Sequence, residues 1–150
     1  MIEVSSDEEL PIHDHRETIL KNVLKKGLVL LSAPTGSGKS TQVPQFLIDR
    51  LQSGRVVYVT QPRRVAARAL ARRVASERET KLGEEVGYEM RFDRCVSGGT
   101  KIIYLTEGVL LRKLLGNGNL AEADAVGRSG DRARHARHEH RDDRRQRRRH

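Results

Sequence analysis

Gly36, Gly38, Lys39 and Ser40 fall within the run Ala33-Pro34-Thr35-Gly36-Ser37-Gly38-Lys39-Ser40-Thr41, and their types and order point to chemistry on a phosphate chain. Glycines two positions apart let the backbone turn and approach an anion with no side chain in the way. Successive backbone N–H groups then point inward, joined by the N-terminus of a following helix. Lys39 supplies a mobile positive charge for β and γ phosphates, and the Ser40 hydroxyl suits Mg²⁺. The strict pattern begins with glycine, and Ala33 stands there instead. The bland reading is a glycine-rich turn with an incidental lysine. It is disfavoured by the apolar run Leu28-Val29-Leu30-Leu31 just before the loop.

Such a loop must be held between a strand and a helix. Residues 28–31 are expected to be a buried parallel strand, and residues 39–52 the helix after the loop. Ahead of them, residues 1–11 read as a loose polar lead-in and residues 14–25 as a helix. Residues 55–60 (RVVYVT) form the next strand, and residues 63–79 a long helix with apolar positions at helical spacing. Residues 88–92 read as a short strand, 100–106 (TKIIYLT) as another, and 108–115 as a helix. Ala123-Asp124-Ala125-Val126 looks like the opening of a further strand cut off by Gly127. Strands alternating with helices imply an α/β fold with a parallel sheet and right-handed crossovers.

Two more segments would share the carboxyl-end rim of that sheet, where ligands of open α/β folds bind. They are Thr60-Gln61-Pro62-Arg63-Arg64-Val65-Ala66-Ala67 and Thr106-Glu107-Gly108-Val109-Leu110-Leu111-Arg112. Hydroxyls, cations and helix N-termini there could grip a nucleic-acid backbone. With the phosphate loop, and with Thr41-Gln42-Val43-Pro44-Gln45-Phe46 and Leu82-Gly83-Glu84-Glu85-Val86-Gly87-Tyr88, these segments resemble the first RecA-like domain of DEAH-box RNA helicases, superfamily two. The resemblance covers residues 10–126. Leu10-Pro11-Ile12 and Ala33-Pro34 look most like bacterial members.

The resemblance implies a partial RecA-like P-loop NTPase domain. ATP phosphates and Mg²⁺ would be bound by Thr35, Gly36, Ser37, Gly38, Lys39, Ser40 and Thr41, with Lys39 and Ser40 catalytic and Ser40 the metal ligand. Arg73 would lie near the adenine, and Arg63, Arg64, Thr106 and Glu107 would face single-stranded RNA. The structural alternatives are a solvated helix start for the two arginines and a helix cap for Thr106. Tyr88 and Phe92 read as packing residues rather than a base-stacking platform, and Cys95 as structural or exposed.

In the family, the strand opening like residues 123–126 continues into Asp-Glu-x-His, whose acidic pair holds Mg²⁺ and places the attacking water. Here the chain reads Gly127-Arg128-Ser129-Gly130-Asp131-Arg132. Residues 127–150 hold ten Arg, four His and four acidic residues, so this tail carries +6 of the net +9 and residues 1–126 only +3. With no large apolar residue, such a tail cannot offset the entropy of ordering, and disorder is expected. Its arginines would attract RNA or DNA in a salt-sensitive way. The expected organisation is an incomplete ATP-binding domain over residues 1–126 followed by this tail. Intrinsic hydrolysis is expected to be very weak or absent. A non-enzymatic nucleotide- or nucleic-acid-binding module and a non-functional truncated fragment are the other readings.

One Cys excludes an internal disulfide. With no signal peptide evident and no apolar run of about 20 residues, a cytoplasmic protein without membrane contact is expected. Losing the rest of the sheet is expected to leave residues 28–31 and 102–105 poorly covered and stability marginal.

Overall fold

The apolar runs at residues 56–60 and 102–105 become neighbouring parallel strands at the centre of the sheet. A computed structural model describes residues 10–26, 29, 31–51, 55–117 and 123–128 of the 150. A 3₁₀ turn at His13–His15 leads into helix α1 (Arg16–Lys26) and helix α2 (Lys39–Arg50). Strand β1 (Val56–Gln61), helix α3 (Arg64–Glu77), strands β2 (Val86–Met90), β3 (Asp93–Cys95) and β4 (Ile102–Thr106), helix α4 (Glu107–Asn117) and strand β5 (Ala123–Arg128) follow. The strand order is β3-β2-β4-β1-β5, parallel throughout except for the β2–β3 hairpin. The fold is therefore α/β with an open, mostly parallel sheet.

Alternation along β4 explains why four successive residues are apolar. Ile102 and Tyr104 join one core with Val57, Val59, Val86, Tyr88 and the α3 residues Ala67, Ala71, Val74 and Ala75. Alanines on that helix face let it approach the sheet closely. Ile103 and Leu105 meet Val109 of α4 on the opposite face. Residues 102–105 are all buried, Ile103 being the most exposed at 8 %. The expectation that they would be poorly covered is therefore wrong. The reason is that α4 closes over the second face, leaving its own Leu111, Leu114 and Leu115 exposed.

Other expectations shift locally. Leu10 is not part of a loose lead-in: it packs half-buried against the core, and His13 N–H donates to its carbonyl at 2.9 Å. Residues 1–9 lie outside the described residues. Of the strand expected at 28–31, Leu28 and Leu30 lie outside the described residues, and Val29 and Leu31 belong to no strand. β2 begins two residues earlier than expected and stops at Met90, because the chain turns at Arg91-Phe92 into β3, which periodicity did not reveal. β5 continues past Val126, pairing Gly127 with Val59 and Arg128 with Thr60. Ladder hydrogen bonds use the main chain and are indifferent to the change in composition there. The disorder expected of the tail otherwise falls on residues 129–150, outside the described residues.

Helix α3 ends in a Schellman turn, with Glu79 N–H on the Ser76 carbonyl and Thr80 N–H on the Ala75 carbonyl, both at 3.0 Å. Beyond it a charged cluster ties the elements together. Arg78 pairs with Glu85 at 2.6 Å and with Asp49 of α2 at 3.1 Å, and Lys101 reaches Glu85 at 3.0 Å. The hydrogen bond from Arg78 outweighs burial and holds the Glu85 carboxyl below its ordinary value, with Lys101 adding to it. At Glu77 burial works upward but loses to hydrogen bonds from Arg73, Gln45 and Gln42. Both folded-state values lie below the unfolded one, so the stabilisation is present above pH 4.5 and lost as pH falls through the folded values. Stability followed by circular dichroism should fall by about 1 kcal/mol beyond the general acid effect as the pH drops below 4.5 through the folded values. Glu85→Gln should flatten that slope; an unchanged slope would remove the cluster from the account.

Candidate nucleotide and nucleic-acid site

The turn at Thr35-Gly36 is closed by Ser37 N–H donating to the Pro34 carbonyl at 3.3 Å. The chain then enters α2 through Gly38, whose φ of 90° and ψ of 5° lie in the left-handed region, and Gly36 has φ 85°. Side chains resist that region. Gly38 also has no room for one: a Cβ would sit 2.9 Å from Leu10 Cδ1 and 3.0 Å from Ile12 Cγ2. At Gly36 a Cβ would meet nothing within 4 Å, so that side of the loop is open. The Lys39 ammonium folds into the loop, donating to the Ala33 carbonyl, to the Pro34 carbonyl at 2.7 Å and to Ser37 Oγ at 3.2 Å.

The remaining loop residues divide by exposure. Thr35 is exposed, Ser40 half-buried, and Ser37 and Thr41 buried. Thr41 Oγ1 turns back to the Gly38 carbonyl at 3.3 Å. Arg73 on α3 pairs with Glu77 at 2.9 Å, and Glu77 accepts from Gln42 and Gln45 of α2, both also at 2.9 Å. Arg73 is thus tied to the helix that leaves the loop. Among the described residues, no group of three or more His, Cys, Asp or Glu side chains could hold a metal ion.

On the rim, Gln61 at the end of β1 stands in register with Thr106 at the end of β4, so the two segments singled out in the sequence meet edge to edge. Arg63 caps α3 in extended conformation and Arg64 is its first residue; both are exposed. Thr106 lines an open cavity of about 580 Å³ with Arg91, Phe92, Gly108, Val109 and Arg112. Arg63, Arg64 and Glu107 lie on the same rim but do not line this cavity.

Arg91 had no functional reading from the sequence, Arg112 only that of the rim segment it ends, and Phe92 that of a packing residue. Tyr88 packs as expected, but Phe92 is 90 % exposed at the tip of the β2–β3 hairpin, with the Arg91 guanidinium 4.8 Å from its ring centroid. Packing is therefore the wrong reading for Phe92. Its φ of 65° is rare for a bulky residue, and the next residue is firmly held. Asp93 takes an ion pair from Arg68 and a hydrogen bond from the Tyr88 hydroxyl at 3.1 Å, while Arg68 also covers the Tyr88 ring at 5.3 Å. On the other side Lys113 of α4 reaches Glu89 of β2 at 2.8 Å. The only signal in the sequence was an aromatic residue in Arg91-Phe92-Asp93-Arg94, with no glycine to announce a turn.

No family model matches the chain. Individual proteins do. The chain is 45 % identical over 122 residues to the probable ATP-dependent RNA helicase DHR2 of Saccharomyces cerevisiae, covering 79 % of this chain and 17 % of that protein. It is 41 % identical over 119 residues to the pre-mRNA-splicing factor ATP-dependent RNA helicase DEAH10 of Arabidopsis thaliana, covering 78 % and 17 %. It is 46 % identical over 116 residues to the putative ATP-dependent RNA helicase DHX57 of Mus musculus, covering 74 % and 8 %. The chain thus spans less than a fifth of the length of these curated relatives. Identity at this level over most of the chain makes it a homologue of the DEAH-box RNA helicases of superfamily two, matching part of their amino-terminal RecA-like region.

Proposed function

We propose that this chain binds ATP with Mg²⁺ at residues 35–41 and single-stranded RNA along the rim of β1 and β4, as a cytoplasmic binding unit that does not turn ATP over by itself. One observation carries the reading. Two left-handed glycines feed the Lys39 ammonium into a loop, open over Gly36, at the start of a twelve-residue helix. A helix N-terminus with a lysine at its head, beside a turn with room over Gly36, fits a phosphate chain.

In this reading Lys39 would meet the β and γ phosphates, and the Ser40 hydroxyl would hold Mg²⁺. Thr35, Gly36, Ser37, Gly38 and Thr41 shape the cradle, and Arg73 stands on the adenine side. Mg²⁺ would supply Lewis-acid polarisation of the phosphates. RNA phosphates meet Arg63, Arg64 and Thr106, with Glu107 at the head of α4. Arg91, Phe92 and Arg112 extend this surface. Among the described residues no helix is long and apolar enough to cross a membrane.

Binding without turnover rests on the carboxyl end of β5. Arg128 stands there beside Thr60, and the sequence goes on as Ser129-Gly130-Asp131-Arg132, with no Asp-Glu pair. A phosphate clamp lacking groups to place a water stabilises bound nucleotide more than a transition state. Titrating the labelled chain with Mg-ATP should shift the amide resonances of residues 36–41 ahead of all others. Saturating nucleotide with no change there would sink the reading.

A further inference from the structure

Pro44 is the sixth residue of α2, well inside the helix, and it is buried. Proline has no N–H, so the donor that a helix would normally present to the Ser40 carbonyl does not exist, and the ring crowds that carbonyl. A side chain from the sheet reaches it. The Tyr104 hydroxyl of β4 donates to the Ser40 carbonyl at 2.7 Å. Tyr104 is fully buried, at 0 % exposure. Burial first, and the Glu77 carboxylate second, push its phenol far above the ordinary range, so it stays a donor. Glu77 itself accepts from Gln42 and Gln45 on either side of the proline turn.

We propose that Tyr104 is a positioning residue for the nucleotide, its hydroxyl replacing the amide that Pro44 lacks and thereby fixing the turn that carries Lys39 and Ser40 to strand β4. The sequence needs both partners for this: a proline four residues after Ser40, and a tyrosine rather than a phenylalanine among Ile102, Ile103 and Leu105. Two residues beyond Tyr104 the same strand ends at Thr106 in the rim cavity, so one rigid element supports both surfaces. The inference rests on residues 35–41 being the nucleotide site.

The test is a double-mutant cycle on the full chain, reading Mg-ATP affinity with a fluorescent ATP analogue. Tyr104→Phe keeps the ring and removes the donor, and is expected to weaken binding about tenfold. In a Pro44→Ala background the helix regains its own amide opposite Ser40, and the same change should cost less than about twofold. Equal losses in the two backgrounds would mean that Tyr104 acts through general packing and would overturn the proposal. So would Tyr104→Phe binding as tightly as the wild type, which leaves the nucleotide reading standing. A wild-type chain that binds no Mg-ATP overturns both. If Tyr104→Phe alone does not fold, Pro44→Ala is compared with the double variant. A folded double variant within about twofold of Pro44→Ala supports the latch, and a larger loss overturns it.

Discussion

Lys39→Ala should lower affinity for Mg-ATP at least about a hundredfold while moving the thermal midpoint by no more than a few degrees. The two halves of that expectation have different physical sources. In the folded chain the ammonium donates to the Ala33 and Pro34 carbonyls and to Ser37 Oγ. Pro34 is exposed and Ala33 half-buried, so water can take over those acceptors when the amine is removed. The loop keeps its shape through Gly36 and Gly38 and through Gln42 N–H on the Gly38 carbonyl at 2.7 Å. Little stability is therefore at stake. A bound phosphate chain has no such replacement. Charge-assisted hydrogen bonds to two phosphates are worth about 1.5–3 kcal/mol each, and about 2.7 kcal/mol is already a hundredfold. Isothermal titration on both proteins, with circular dichroism to confirm folding, reads the two effects separately. Equal affinities would show that the loop grips no triphosphate.

How much of this was legible in the sequence depends on what kind of interaction wrote it. The turns ahead of α2 were readable because backbone conformation dictates residue type there: left-handed positions select glycine, and the sequence shows Gly36 and Gly38. The parallel strands β1 and β4 were readable because burial on both faces demands unbroken apolar runs. Their meeting, with Gln61 beside Thr106, follows from topology rather than from either run alone. The β2–β3 hairpin was opaque because its turn breaks the usual code. Phe92 occupies a left-handed position where glycine or asparagine is expected, held by the β2–β3 ladder and by Arg68 and Tyr88 on Asp93. The cover supplied by α4 was missed for a related reason. A helix lying across Ile103 and Leu105 leaves no mark in the strand it covers. The Tyr104–Ser40 hydrogen bond joins residues 64 positions apart, a separation no local pattern encodes.

Phe92→Gly should weaken binding of a short single-stranded RNA by about one to two orders of magnitude, yet leave the fold as stable as before or slightly more so. An aromatic face stacked on a base contributes about 1–3 kcal/mol, and this ring is 90 % exposed beside Arg91, Thr106 and Arg112. Its removal forfeits little buried area. The backbone gains instead, since a left-handed conformation costs an L-residue about 1–2 kcal/mol and glycine about none, against about 0.5–1 kcal/mol of extra chain entropy lost on folding. A side chain kept in a strained conformation at no benefit to packing is the pattern of a residue held for contact with a ligand. The arginine-rich segment beyond residue 128 would add salt-sensitive affinity of its own, so the comparison belongs in a chain ending at Arg128, at near-physiological salt. Phe92→Leu separates the contributions: it keeps the strain and the apolar bulk but loses the aromatic face, and should bind RNA nearly as poorly as the glycine variant. Undiminished RNA binding by both variants would leave the hairpin tip outside the RNA surface. A clear loss of stability in Phe92→Gly would show that the ring is held for packing after all.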